Sequence, residues 1–503
     1  MQFKWSYPII LYPIALFAFI IGLKHQPILD LPNHTARQFI MSSLLFDASS
    51  PFQNWFRVEW VPKPYIFNDL LAVSLLQLAS PTLVANLMLY LAFILLPLSV
   101  TVYLRAIDQP WPKILLCLPF LFYLATNRYL TIGFTHFLTS LGIGFLLLAV
   151  AEKNLLHIQK PSLKWMTTYF LGTVILYLTH SYGLAVFAIM LCIRLMWERP
   201  LTLRFLVVGT YLSALPPILV LFQKLVWPDS LDTFWVYFAP RSELLDRFFE
   251  PFHRFHRPSD MMFGIAHLFL ILCFYLLITR KDPERVANKH VRFQLASFGT
   301  FLLLFLCLPV GFMKAWDIDT RALLPAMVFL VVAAVPRTIH SNPNQLGQVR
   351  FLHLAAVLLM LVQGLYVSYH LSRADQRLTK LMEIMSLIPA EKNVFLVDAD
   401  SARFDPSPHH LSLYVIEKKG NIPTLFSAET GAPFSYFHID RDRILPEAPS
   451  KWYMEGKYQS VLEILDQFDY MLANRPLNLP NEFASRVKLM KQTDGGALYA
   501  IIK

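Results

Sequence analysis

Charged residues are scarce in this chain of 503 residues: they make up 16%, against about a quarter in soluble globular proteins. Apolar residues account for 55% and aromatic residues for 14%, and the mean hydropathy is +0.46. This composition excludes a water-soluble cytoplasmic enzyme and a disordered chain. It predicts a polytopic α-helical membrane protein.

Cysteine and glycine are also rare. The four cysteines, Cys117, Cys192, Cys273 and Cys307, all lie inside apolar runs, so neither a disulfide framework nor a thiolate metal site is indicated. The 17 glycines form no phosphate-binding loop. No cluster of Lys and Arg interleaved with aromatic residues accompanies the net charge of +10, so nucleic acid is not an expected partner.

The charges that exist are unevenly spread, which predicts two domains. Residues 375–503 carry 15 Lys/Arg and 17 Asp/Glu, an ordinary soluble composition, whereas residues 1–374 carry only 29 and 17. We therefore expect a membrane domain over 1–374 and a soluble domain over 375–503. In the second, short β-type runs at 393–397, 412–417, 470–473 and 497–502 alternate with helical patterns at 457–467 and 481–490, which favours an α/β domain.

Eleven apolar segments are suited to crossing a bilayer, which takes roughly 20 residues of helix. They are 7–23, 82–104, 112–127, 131–150, 165–180, 182–197, 203–224, 261–279, 293–312, 320–339 and 350–371. The shorter run 66–79 contains Asp69, and we interpret it as a juxtamembrane or re-entrant helix within a first loop over 24–81. If it spanned instead, every later loop would change sides.

Loop charges predict the direction of the spans. Loops 105–113, 151–164, 198–205, 280–292 and 337–350 carry 14 Lys and Arg, whereas the short loops on the other side carry only Arg128 and Lys314. This contrast places the first group and the N-terminus in the cytoplasm. The first span lacks a signal-peptide cleavage site and is interpreted as an uncleaved anchor. The expected location is the inner or plasma membrane, with the C-terminal domain extracytoplasmic.

Polar residues gather in four segments predicted at the outer face: 30–37, 127–136, 180 and 313–321. Charged groups beside a bilayer are functional candidates by default. The candidates are Asp30, His34, Arg37, Arg128, His136, His180, Asp319 and Arg321. Together they fit a site for an anionic lipid head group.

The first of these segments has the pattern of a helix start. Pro32 suits the first turn, and Asn33 and Arg37 then share a face. Asp30 lies beside the positive end of the helix, where it could accept a proton from a hydroxyl or ligate a hard divalent cation such as Mg or Mn. Alternatively, Asp30 is only a helix cap.

The other candidates also have plain structural explanations. His136 and His180 would then be interfacial residues at span ends. Arg321 would be a snorkelling side chain with Asp319 as its partner. The functional alternative is that Arg321 grips a phosphate with two parallel hydrogen bonds.

At this point the chain resembles the GT-C superfamily of integral-membrane glycosyltransferases. The similarity rests on an inside N-terminus, one span and a long outer loop that begins with an acid. It extends to the run PYIFNDLL at 64–71, the VAN at 84–86, the DTRALLP at 319–325 and the C-terminal α/β domain.

The resemblance implies transfer of a sugar, with inversion, from a polyprenyl-phosphate carrier to a glycan, lipid or protein acceptor outside the cytoplasm. It implies that Asp30 is the base or a metal ligand, although many members carry a second acid where this chain has Leu31. His34 could assist Asp30. Arg321, Arg128, Arg37 and Lys63 would hold the lipid phosphate, with His136, His180 and Asp319 completing the substrate site and the loop 225–259 closing over it.

Three other functions remain open. A transporter or lipid flippase would need polar residues at the membrane midplane and often internal repeats, neither of which is evident. A polysaccharide polymerase or ligase would also use a polyprenyl substrate, but would lack the acid after the first span. A non-catalytic subunit would keep the fold and tolerate loss of Asp30.

Overall fold

The computed structural model describes most of the chain, and within the described part the chain is mostly helical. The described residues are 6–25, 27–54, 56–58, 64–154, 163–197, 236–279, 289–312, 315–335, 343–397, 412–419, 437–439, 462, 465–473, 476–493 and 496–503.

Seventeen α-helices lie in these ranges. They are α1 Ser6–Ile21, α2 Leu31–Phe46, α3 Ile66–Leu76, α4 Pro81–Ala106, α5 Trp111–Ala125, α6 Arg128–Thr131, α7 Thr135–Asn154, α8 Leu163–Thr179, α9 Ser181–Trp197, α10 Leu244–Phe249, α11 Arg257–Thr279, α12 Lys289–Cys307, α13 Ile318–Arg321, α14 Leu323–Ala334, α15 Pro343–Met385, α16 Leu413–Lys418 and α17 Asn481–Ala484.

Ten of the eleven predicted spans fall on these helices, and the eleventh, 203–224, lies outside the described residues. Five helices in the described part are long and apolar enough to cross a membrane: Pro81–Ala106, Thr135–Lys153, Arg257–Leu277, His290–Cys307 and Leu346–Met385. The chain is thus helical and suited to a membrane by length and composition, as predicted. The number of crossings and their direction stay predictions.

Helix α3 covers the run that we interpreted as a short helix. Its 11 residues correspond to about 16 Å of helix, well short of the roughly 30 Å hydrocarbon core. Ala72 on α3 packs with Val84 and Met88 of α4 in a small apolar cluster. The helix itself is therefore confirmed, and its length agrees with a segment that does not span.

The chain divides into two compact units. The helical unit comprises Met1–Phe19, Lys63–Phe67 and Leu89–Ser368, and the mixed unit comprises Ile20–Pro62, Asn68–Met88 and Tyr369–Lys503. This division differs from the boundary after residue 374 that composition predicts, because parts of the first loop belong with the tail.

Close helix packing characterises the helical unit. Gly183 of α9 lies directly against Ser140 of α7, where an added Cβ would collide with the serine Oγ and Cβ. Small residues at such contacts let two membrane helices approach closely. Helix α14 is buried along almost its whole length, and its Phe329 ring lies 5.5 Å from Phe145 and 5.6 Å from Phe293, centroid to centroid.

A four-stranded sheet forms the centre of the mixed unit. Described strands of the chain are β1 Phe56–Val58, β2 Val236–Tyr237, β3 Gly311–Phe312, β4 Ala315–Trp316, β5 Val394–Val397, β6 Phe437–Ile439, β7 Tyr470–Ala473, β8 Val487–Thr493 and β9 Gly496–Ile501. The sheet has the order β5-β7-β9-β8, with β5 and β7 parallel and the other pairs antiparallel. Val394 pairs with Tyr470, and Met471 with Tyr499.

The predicted strands at 393–397, 470–473 and 497–502 are confirmed. Two other predictions for the tail are wrong. The run 412–417 is helix α16, whose Leu413, Tyr414 and Val415 are buried in one apolar cluster with Ala36 and Ile40 of α2. The segment 481–490 holds only the short helix α17 and then enters strand β8, because its backbone pairs with β9.

Candidate functional site

An arginine fork organises the turn before α14 in the helical unit. Arg247, on α10, donates to both carboxylate oxygens of Asp319, from Nη2 at 2.5 Å and from Nε at 3.2 Å. Its Nη1 donates to Asp317 at 3.1 Å. All three side chains are buried or nearly so. Such charge-assisted, two-pronged bonds are strong and directional, so they fix the position of the 317–321 turn.

Arg128, on α6, belongs to the same ionic cluster. Its guanidinium pairs with Glu250 and lies 3.8 Å from Asp317. Asn127 caps α6 by accepting the Leu130 N–H at 3.1 Å, which sets the start of the helix that carries Arg128. The predicted phosphate ligand Arg128 therefore has carboxylate partners in this structure.

His253 lies at the edge of this cluster, with Nδ1 3.6 Å from the Glu250 carboxylate. Burial, reinforced by the charges of Arg257 and Arg128, lowers the pKa of His253 to about 4. The imidazole is therefore neutral at pH 7, and the contact with Glu250 is not an ion pair under those conditions.

Asp317 has an unusual backbone, with φ 60° and ψ 30° in the left-handed region. Residues other than glycine rarely adopt it, and such strain concentrates at functional sites. Burial alone would raise the pKa of the Asp317 carboxyl, but Arg128, Arg247 and Arg321 outweigh it, and the pKa is lowered. For Asp319 burial prevails over the bonds from Arg247, and the pKa is raised.

Tyr65 lies between two histidines just before α3. Its ring centroid is 4.7 Å from that of His136 and 4.9 Å from that of His180. The Tyr65 hydroxyl and His180 Nε2 are 3.0 Å apart, within hydrogen-bond distance. The Tyr65 backbone is also left-handed, with φ 81°, a genuine outlier for a bulky residue.

Arg321 lies against two aromatic rings. Its guanidinium carbon is 4.7 Å from the Phe134 ring centroid and 5.6 Å from that of Phe137. The turn that carries Arg321 is tied to neighbouring helices, because Tyr182 donates to the Ile318 carbonyl at 3.1 Å and Tyr129 donates to Thr320 Oγ1 at 2.8 Å. Asp319, the expected partner of a snorkelling Arg321, is engaged by Arg247 instead.

The first polar segment lies in the mixed unit. Asp30 occupies the N-cap position of α2 and is half-buried, yet its carboxylate accepts no capping hydrogen bond. His34 and Arg37 are buried on α2. Arg37 forms a 2.6 Å ion pair with Asp69 of α3, whose same oxygen accepts from Gln38 at 3.0 Å. A buried pair of this kind is a structural link between α2 and α3, so Arg37 has a partner that our prediction did not foresee.

The predicted site residues thus fall into two groups. Arg128, His136, His180, Asp319 and Arg321 all lie in the helical unit, in the cluster around the 317–321 turn. The α2 residues Asp30, His34 and Arg37 belong to the mixed unit. Lys63 lies outside the described residues, and the substrate-binding roles remain predictions.

Our sequence reasoning missed four members of the cluster: Tyr65, Arg247, Glu250 and His253. The last three come from the loop 225–259, which we expected to close over the site without naming its residues. Tyr65 stands in the run at 64–71 that carries the resemblance. Aromatic and charged residues inside a long connection were the available signal, but nothing in their spacing reveals their partners.

A divalent cation was one possibility for Asp30. Among the described residues, no group of three or more His, Cys, Asp or Glu side chains could hold a metal ion. The residue after Asp30 is Leu31, which offers no ligand atom on its side chain. We derive no chemical step through a metal.

Comparison with known proteins adds no further assignment. No family model, no curated protein and no solved structure matches the chain.

Proposed function

We propose that this chain is an integral-membrane glycosyltransferase, which moves a sugar from a polyprenyl-phosphate carrier to an extracytoplasmic acceptor with inversion. The observation that carries the proposal is the buried cluster of guanidinium, imidazole and phenol groups around the 317–321 turn. Charged groups are costly in a membrane domain and mark functional sites. Long apolar helices beside such a cluster suit a substrate with an isoprenoid tail and an anionic head.

The leaving group in this reaction is a lipid phosphate, which is already a stable anion. It needs fixed positive charge more than a strong acid. Arg321 fits this task, because its guanidinium lies over the rings of Phe134 and Phe137, which limit its movement. Its N–H donors lie in the plane of the group, where a phosphate can accept two of them in parallel.

The acceptor hydroxyl must lose a proton as it attacks the anomeric carbon. We assign that proton to the Asp30 carboxylate, following the resemblance. Asp30 is half-buried at the N-cap position of α2. A carboxylate in a positioned site is a competent general base.

The first experiment tests the class of reaction. Mass spectrometry would compare the surface glycans and lipids of cells that have the protein, lack it, or carry Asp30→Asn at equal protein level. We expect one glycan to lose a sugar in both deficient strains and the polyprenyl-phosphate sugar to accumulate. Unchanged glycans and lipids in the deletion strain would contradict the proposal.

The second experiment tests the phosphate contact with Arg321→Lys, which keeps the charge but loses the planar fork. We expect the KM for the polyprenyl-phosphate sugar to rise about tenfold, the loss of roughly one charge-assisted bond. Arg105→Lys is the matched control, because Arg105 also lies over an aromatic ring, that of Trp111 at 5.3 Å, outside the cluster. Equal KM values in the two variants would make Arg321 a packing residue.

A further inference from the structure

The hydrogen bonds of His180 determine where its proton resides. Its Nδ1 accepts the backbone N–H of Tyr182 at 3.0 Å. A nitrogen that accepts an N–H bond carries no proton itself, so a neutral His180 must hold its proton on Nε2. Nε2 is the atom that faces the Tyr65 hydroxyl at 3.0 Å.

This fixes the direction of the bond between the two side chains. His180 Nε2–H donates, and the Tyr65 oxygen accepts. The hydroxyl proton of Tyr65 is therefore not used in the bond with His180. A phenol that already accepts a hydrogen bond is also a better donor, since hydrogen bonds in a chain polarise one another.

Tyr65 is held where it is at an energetic cost. Its backbone is left-handed, with φ 81°, a conformation that strains a bulky residue. Contacts of its ring with His136 and His180 hold the side chain on two sides. A glycine would adopt this backbone without strain. A tyrosine at this position therefore indicates that its ring and hydroxyl are needed there.

The same cluster connects Tyr65 to Arg321. Phe137 contacts His180, the partner of Tyr65, and Arg321: its ring centroid is 5.9 Å from that of His180 and 5.6 Å from the Arg321 guanidinium carbon. Tyr182, whose N–H orients His180, also donates through its hydroxyl to Ile318 on the turn that carries Arg321. The Tyr65–His180 pair and the turn that carries the proposed phosphate contact thus share Tyr182 and Phe137 as neighbours.

We propose that Tyr65 is a substrate-binding residue whose hydroxyl, oriented by His180, donates a hydrogen bond to a phosphate oxygen of the lipid carrier. This inference rests on the proposed function, and it adds a neutral donor to the cation Arg321. It also gives His180 a role: it is a positioning residue that acts through Tyr65.

The test is Tyr65→Phe in the full chain, reconstituted in nanodiscs, with decaprenyl phosphate as the probe and the uncharged alcohol decaprenol for comparison. The phenylalanine keeps the ring contacts with His136 and His180 and removes only the hydroxyl. We expect the Kd for decaprenyl phosphate to rise about tenfold, as for loss of one bond to a charged acceptor. The Kd for decaprenol should not change.

Tyr90→Phe is the matched control, because Tyr90 packs on Phe17 and Phe93 outside the cluster. It should leave both Kd values unchanged. Equal affinity of Tyr65→Phe and wild type for decaprenyl phosphate, while Arg321→Lys binds it more weakly, would overturn the role of Tyr65 and leave the proposed function standing. If wild type bound decaprenyl phosphate no better than decaprenol, both proposals would fail.

Discussion

Asp30 is the residue on which the proposed chemistry depends most. Asp30→Asn keeps the shape of the side chain but cannot take up a proton at neutral pH, and loss of a general base costs about 10²–10⁴-fold in rate. Stability should hardly change, because Asn suits an N-cap position as well as Asp does. The measurement is turnover per molecule of purified protein, together with its Tm.

The other end of the same helix offers a control for Asp30. Asp47 follows α2 and binds Ser49 locally, so Asp47→Asn should keep normal turnover. Turnover of Asp30→Asn within threefold of wild type would reject the assignment as base. A rate restored by added Mg²⁺ or Mn²⁺ would instead make Asp30 a metal ligand.

His253 predicts a pH dependence of stability. Its pKa is about 4 in the folded chain against 6.5 for the free group. Between these values the unfolded chain binds a proton that the folded chain does not, so stability falls as pH drops from about 6.5 to about 4. In His253→Gln the Tm should therefore decrease less between pH 6.5 and pH 4 than in the wild type. The measurement is the Tm of both proteins from pH 4 to pH 8.

Asp317 should affect stability only below the pH range of that measurement. Its pKa lies below the usual 3.8, so the stability that it contributes is present above that value and is lost only at lower pH. The two groups therefore act in separate windows. Parallel Tm curves for wild type and His253→Gln between pH 4 and pH 6.5 would show that the imidazole is not the group responsible.

At the scale of elements, the contact between α7 and α9 is close enough for a single substitution to probe. Gly183→Ala would push a methyl group into Ser140, and overpacking of this kind typically costs about 1–3 kcal/mol. Gly299→Ala on α12 is the control, because nothing lies within 4 Å of its added Cβ, and alanine favours a helix by about 1 kcal/mol over glycine. Thermal unfolding in detergent should give a lower Tm for Gly183→Ala than for the wild type, and a higher Tm for Gly299→Ala.

A lower Tm for Gly299→Ala than for Gly183→Ala would contradict that packing. Because Ser181, the first residue of α9, follows His180 directly, Gly183→Ala should also weaken the proposed binding of a lipid phosphate.

Apolar runs made the membrane helices predictable, because a span must satisfy its backbone within the helix. Helix α16 and strand β8 were not predictable in the same way. Their type depends on partners far along the chain: α2 covers Leu413, and β9 pairs with Val487. Short segments take the structure that their neighbours stabilise.

The residues of the candidate site also divide into those that the sequence predicts and those that it does not. His136, His180 and Arg321 were found because polar side chains at the ends of apolar runs stand out. Arg247 and Glu250 lie in a long connection, where polar residues are ordinary. Their significance comes from ion pairs with Asp319 and Arg128, which sequence spacing does not encode.

For the whole molecule, the distribution of Lys and Arg predicts the topology. An alkaline phosphatase fusion after Lys503 should be active in a bacterial host, because that enzyme folds outside the cytoplasm. A fusion within 280–292 should be inactive. Green fluorescent protein at the same two positions should give the reverse pattern. An inactive phosphatase after Lys503, at normal fusion levels, would contradict both the topology and the location of the proposed reaction.

Helix α15 is longer than a membrane is thick. Its 43 residues correspond to about 64 Å, whereas the hydrocarbon core is about 30 Å across. If 350–371 is the span, the turns from 372 to 385 extend about 21 Å further along the axis. The last turns of α15 place Leu378, Leu381 and Ile384 in the apolar core of the mixed unit, so the end of this helix is a core element of the unit whose charged composition, over residues 375–503, is suited to water.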